Sequence, residues 1–203
     1  MTSTHFNPDS PESFSHGKVT FKAVAMSPSA TDTALQVVCF PDQTLNQTYG
    51  GGTELIDAGF KGAIRDLRSE DIFRGERLET LLLQPARQQI PARNLLLIGL
   101  GDPTMLTLDT LTAVGRVAAR EAIKLNVWSF CFAPSLKDAG LSLFDASEVS
   151  VALARGMTQA ISWAQTLHAR GLQQDFLLEE VIFLAGAQHL ESSLKGLRTA
   201  FGK

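Results

Sequence analysis

From residue 18 to 25, apolar Val19, Phe21 and Ala23 alternate with Lys18, Thr20 and Lys22, the two-residue period of a strand with one wet face. Residues 35–40 form a more uniformly apolar run closed by Pro41-Asp42, which predicts an interior strand ended by a turn. Similar runs at 79–84, 94–99, 127–133 and 180–185 predict four more strands. Between them the period lengthens. After Thr107, a candidate N-cap, Leu108, Leu111, Val114, Ala118 and Ala122 recur at helical spacing, and Asn126 can end that helix in the left-handed conformation. Asp145 to Glu148 has the form of a capping box and opens a helix whose stripe is Val149, Leu153, Gly156, Ala160, Ala164 and Leu167. That stripe is mostly small, so close approach of helix and sheet is expected, and His168 suits the helix's C-terminal end. A last helix over 189–201 presents Leu190, Leu194, Leu197 and Phe201 and stops at Gly202.

Three stretches carry weaker patterns. Gly50, Gly51 and Gly52 interrupt a helix that is expected to run only over 53–58, since each interior glycine costs about 1 kcal/mol relative to alanine. Charged residues crowd 60–77, which predicts an exposed loop with room for one helical turn. Residues 1–17 are rich in Ser, Pro and Asp with only two Phe, which predicts a mobile tail ahead of a domain at 18–203. Strands alternating with helices place the chain in the α/β class.

At 203 residues the chain suits one hydrophobic core. A formal charge of -3, with basic residues scattered, gives no electrostatic reason to expect nucleic acid. No apolar run approaches the roughly 20 residues needed to cross a bilayer, and the amino terminus lacks a secretory pattern. Cys39 and Cys131 lie inside apolar runs and read as buried thiols of a reducing compartment. A cytoplasmic, membrane-free protein is therefore expected.

Candidate chemistry is sparse. Gly99-Leu100-Gly101-Asp102-Pro103 joins a strand to a helix, where backbone N–H groups bind anions well. A dinucleotide fingerprint would need a third small residue where Thr104 stands and an acid where Ala133-Pro134 is found. No Gly-Lys-Ser/Thr follows either, so glycines serving only to turn the chain are the favoured reading. His5, His16, His168 and His189 are isolated, and Glu179 and Glu180 fall on opposite faces of a strand. No Gly-x-Ser-x-Gly elbow is present. Lys61 in Phe60-Lys61-Gly62 reads mainly as a solubilising charge, and Trp128 and Trp163 as core or interface packing. No catalytic residue, metal ligand or cofactor is assigned.

Glu79-Thr80-Leu81-Leu82-Leu83, then Asn94 to Gly101, then a helix with Val114-Gly115-Arg116, resembles the amino-terminal domain of the leucyl aminopeptidase (M17, cytosol aminopeptidase) family. Phe60-Lys61-Gly62 is similar to that family's short element ahead of the Glu-Thr-Leu strand, though a longer charged insertion follows it here. The resemblance, which extends to the strand at 176–183 and the last helix, covers most of 18–201. It implies a single three-layer macro-domain-like α/β domain, with a mixed, mostly parallel sheet and helices on both faces. In the family the two-metal site lies in a second, carboxyl-terminal domain, whose Asn-Thr-Asp-Ala-Glu-Gly-Arg and Gly-Lys-Gly segments have no counterpart here.

The resemblance therefore implies a stand-alone, non-catalytic relative acting in self-association or in oligomerisation or regulation of a partner aminopeptidase. The alternative is a module binding ADP-ribose, a nucleotide or another small anion through Gly99, Gly101, Asp102 and Thr104, with Gly51 and Gly52 as further contacts. Independent peptidase activity is the third reading, and its two ions would need several converging carboxylates.

Overall fold

The computed structural model describes residues 12–42, 51–86, 88–136, 140–141 and 143–202. Seven strands form one sheet among these residues: β1 (Ser13–His16), β2 (Val19–Ala25), β3 (Gln36–Pro41), β4 (Thr80–Leu83), β5 (Leu95–Gly101), β6 (Ser129–Ala133) and β7 (Glu180–Ala185). Their spatial order is β1-β2-β7-β6-β3-β5-β4. The inner five run parallel, and the edge strands β1 and β4 pair antiparallel to their neighbours. Five α-helices accompany them: α1 (Gly51–Gly59), α2 (Ala63–Ser69), α3 (Leu108–Lys124), α4 (Ala146–Ala169) and α5 (Leu190–Phe201).

Alternation along the buried strands sorts side chains into two cores. Val37 and Cys39, Leu96 and Ile98, Phe130 and Phe132 face α3, α4 and α5. Val38 and Phe40, Leu95 and Leu97, Cys131 and Ala133 face the layer of α1 and α2. The result is the expected three-layer α/β domain.

Several expectations change, and α1 begins at Gly51 rather than at residue 53. Residues 12–17, expected in a mobile tail, are part of the fold: Ser13–His16 pairs with β2 and Phe14 stacks on Phe201 at 5.6 Å between ring centroids. The Arg198 guanidinium holds Glu12 at 2.6 Å beside it, whereas residues 1–11 lie outside the described residues. The charged segment also contains a true helix, α2, with Ile64 and Arg68 buried. Arg68 lies over the rings of Phe40 and Phe73 and donates to the Pro41 carbonyl at 2.9 Å, so its charge is sequestered by tertiary partners.

The small stripe of α4 serves helix–helix contact more than helix–sheet contact. A Cβ on Gly156 would stand 1.9 Å from the Thr112 carbonyl oxygen of α3, and one on Gly115 would stand 2.3 Å from the Leu153 carbonyl oxygen of α4. The capping box at Asp145 and Glu148 is formed as predicted, and Asn126 has φ 51.

Candidate functional site

Three parallel strands, β2, β6 and β7, end on Ala25, Ala133 and Ala185. Small side chains at those ends leave space, and a cavity of 480 Å³ opens just beyond them. Ligands in open parallel sheets bind at this end of the strands. Gly51, Gly52 and Leu55 of α1 close one side, while Ala146, Val149 and Ser150 of α4 close another. Ser27, Ser135, Gln188 and His189 supply polar groups.

The start of α1 points its partial positive end at this space. The start of α4 does not act in the same way, because its own side chains already occupy it. Asp145 accepts from the Glu148 N–H at 2.8 Å, and Glu148 accepts from the Asp145 N–H at 3.0 Å. Glu54 adds a negative charge in the first turn of α1. Among the described residues no Lys or Arg lines the cavity, and His189 is the one ionisable side chain on its wall.

The sequence-selected residues divide. Gly51 and Gly52 line the cavity, but Gly99, Gly101, Asp102 and Thr104 do not. β3 separates β5 from β6, which takes the 99–104 turn away from the crevice. The glycines there admit another backbone segment: a Cβ on Gly99 would lie 1.9 Å from the Glu76 carbonyl oxygen, and Gly101 has φ +76 against Arg77. Leu78 N–H donates to Gly99 O, and Gly101 N–H to Gly75 O, each at 2.9 Å. Asp102 caps a 3-10 turn, accepting from the Thr104 N–H at 2.8 Å and its hydroxyl at 2.7 Å. Those bonds hold the Asp102 carboxyl below its ordinary range.

Phe60-Lys61-Gly62 also proves to be a reversal, with φ 57 at Lys61 and φ 88 at Gly62 where α1 turns into α2. Buried Asp57 completes it by accepting from the Ile64 N–H at 3.1 Å and the Arg65 N–H at 3.2 Å. Gln188, Ser135 and the 26–28 segment were missed by motif reasoning. Their one signal is position, directly after parallel strands. Trp128 and Trp163 are 56% and 49% exposed, which removes core packing from their expected roles. No group of three or more His, Cys, Asp or Glu among the described residues is placed to hold a metal ion.

The family model for the N-terminal domain of the cytosol aminopeptidase family matches residues 37–161. A stretch of 86 residues is 37% identical to a probable cytosol aminopeptidase of Nostoc punctiforme, covering 39% of this chain and 17% of that protein. A solved mutant of tomato leucine aminopeptidase superposes with a TM-score of 0.66 at 16% identity, covering 95% of this chain and 38% of that one. The Oceanobacillus iheyensis macrodomain, solved with ADP, gives a TM-score of 0.62 at 14% identity, covering 94% of this chain and 96% of the macrodomain. At these identities the structural matches establish the fold, and the chain spans less than a fifth of the curated relative.

Proposed function

We propose a role in assembly, from the premise that this chain belongs to the cytosol aminopeptidase family by its N-terminal domain. It acts without catalysis, through self-association or through holding and regulating an aminopeptidase chain, in the cytoplasm. The observation that carries this reading is a set of exposed large apolar side chains on α4 and on the segments that follow α4 and precede β6 and β7. Trp128, Trp163, Leu167, Leu172 and Leu177 are each at least 40% exposed. They fall in two groups: Trp163 and Leu167 are one turn apart on α4 and the Leu172 N–H donates to Leu167 O, while the Glu179 N–H, two residues after Leu177, donates to Trp128 O. Apolar side chains gathered in this way mark contact surfaces.

Sedimentation of the purified chain, alone and with a cytosol aminopeptidase of the same organism, tests the reading. A higher-order species or a change in peptidase rate supports it. A chain that stays monomeric and leaves the peptidase unaltered overturns it, as does chelator-sensitive turnover of a leucyl chromogenic substrate by the chain alone.

The cavity favours a second reading, a macro-domain-like module that takes a small ligand beside Gly51 and Gly52. Calorimetric titration with ADP-ribose, ATP and inorganic phosphate checks it. Heat that disappears when Gly52 is replaced by a bulky residue supports this reading; absence of heat with all three removes it.

A further inference from the structure

At the opposite end of the parallel strands, the C-terminal halves of α3 and α4 part to leave a groove of 640 Å³. Ala160 and Ala164 form its floor together with Ile123, and their small size creates the depression. Trp163 and Leu167 rise on one side, Arg120 and Lys124 on the other, and Phe176 closes the end. From Ala160 to Leu167 the trough runs about 10 Å, two turns of a helix at 1.5 Å per residue.

Several features keep the apolar wall presented. The α4 terminus is a Schellman turn, with Gly171 at φ +70, its N–H bonded to His168 O and the Leu172 N–H bonded to Leu167 O, each at 2.9 Å. This places Leu172, 72% exposed, beside Leu167. The Arg116 guanidinium lies 5.6 Å from the centre of the Trp163 ring, which orients the indole beside the trough.

The charges here run against those of the whole chain. Arg116, Arg120 and Lys124 repeat every four residues along α3, although the chain carries -3. The acids near the groove are already engaged, Asp175 with Lys18 at 2.9 Å and Glu121 with Lys124 at 2.7 Å. Arg120 makes no ion pair with any described residue and lines the groove.

We propose that this groove docks an amphipathic helical segment of a partner protein, whose apolar face is flanked by acidic side chains. The inference rests on the assembly reading above and names the chemistry of the partner. A two-turn trough matches anchors at i, i+3, i+4 and i+7, and a tryptophan beside arginines is the composition of binding hot spots. A nucleic acid strand would call for cations tracking many phosphates and several stacking rings, whereas this floor is aliphatic with one indole at its edge.

The probe is a designed, fluorescein-labelled helical peptide with leucines at i, i+3, i+4 and i+7 and glutamates on both flanks, read by anisotropy against the full chain. Its counterpart carries lysine for glutamate. Saturable binding is expected, weakened by about tenfold or more in Trp163→Ala and in the pair Arg120→Glu with Lys124→Glu. The charge-reversed pair should in turn prefer the lysine peptide. These surface substitutions are checked by thermal melting; if Trp163→Ala melts early, the charge pair alone decides.

No binding, equal binding of both peptides, or capture of oligothymidylate through the same residues overturns the proposal. The two readings separate cleanly. Peptide binding without any assembly sinks the assembly role and leaves the groove, while assembly that survives the charge-reversed pair, with no peptide binding, sinks the groove alone.

Discussion

Asp57 shows how much one buried side chain can organise. Its carboxylate is 1% exposed and accepts two backbone N–H bonds at the start of α2, where Gly62 provides no side-chain cap, while Arg65 approaches its other oxygen at 3.2 Å. Charge-assisted bonds of this kind contribute about 1.5–3 kcal/mol. Asp57→Ala should therefore lower the unfolding free energy by about 2 kcal/mol, measured by urea denaturation, whereas Asp66→Ala on the exposed face of α2 should change little. Equal effects would show that α2 does not depend on this cap. The thiols make a different prediction. Burial pushes Cys131 up to about 11, with Glu180 adding to the rise, and pushes Cys39 higher still. The fold thus holds more protons than the unfolded chain at alkaline pH. The thiols' contribution to stability is fully present below the ordinary thiol value of 9.0 and is lost as pH rises from there through about 11. Neither cysteine should react with a thiol reagent at pH 8 until the chain unfolds, and rapid labelling of the native protein would contradict their burial.

Elements with a strong internal period were readable before folding; those made by distant partners were not. β5 is apolar throughout and α4 carries its own capping box, so both could be placed from local pattern. β1 has four residues, and what makes it a strand is β2 beside it and the Phe201 ring across from it. α2 reads as solvated charge because the Phe40 ring and the Pro41 carbonyl that hold Arg68 lie far back in the chain. The same divide runs through the candidate site. Gly51 and Gly52, named as ligand contacts by the resemblance to macro-domain-like folds, do border the cavity, while Gly99 and Gly101 are glycine for a different cause, the approach of residues 75–78. A glycine signals a need for space without saying whether backbone or ligand will fill it. The contact between α3 and α4 tests this at the level of elements. Gly156→Ala must displace the Thr112 carbonyl and should cost about 3 kcal/mol as overpacking. Gly171→Ala meets open space and bears only the left-handed strain at φ +70, about 1 kcal/mol. Thermal melts that ranked the two the other way round would mean that the helices can separate at little cost.

Across the whole molecule the two helical layers are anchored unequally. α3 buries Leu111, Val114, Ala118 and Ala122, and α4 buries Val149, Leu153, Met157 and Ile161. α1 contributes Ile56 and α2 contributes Ile64 as their fully buried aliphatic anchors. Since burying one such side chain stabilises by about 1.5–3 kcal/mol, opening the α1–α2 layer forgoes far less than opening the other. Native-state hydrogen exchange should accordingly show α1 and α2 amides opening at lower free energy than those of α3, α4 and β5. This asymmetry bears on function, because the start of α1 walls the cavity whereas the groove is cut into the firmly packed α3–α4 layer. A ligand entering the cavity should slow exchange in α1 selectively, and a peptide in the groove should leave α1 unchanged. Equal protection of both layers in the free chain would refute the unequal anchoring, and with it the expectation that the two sites report independently.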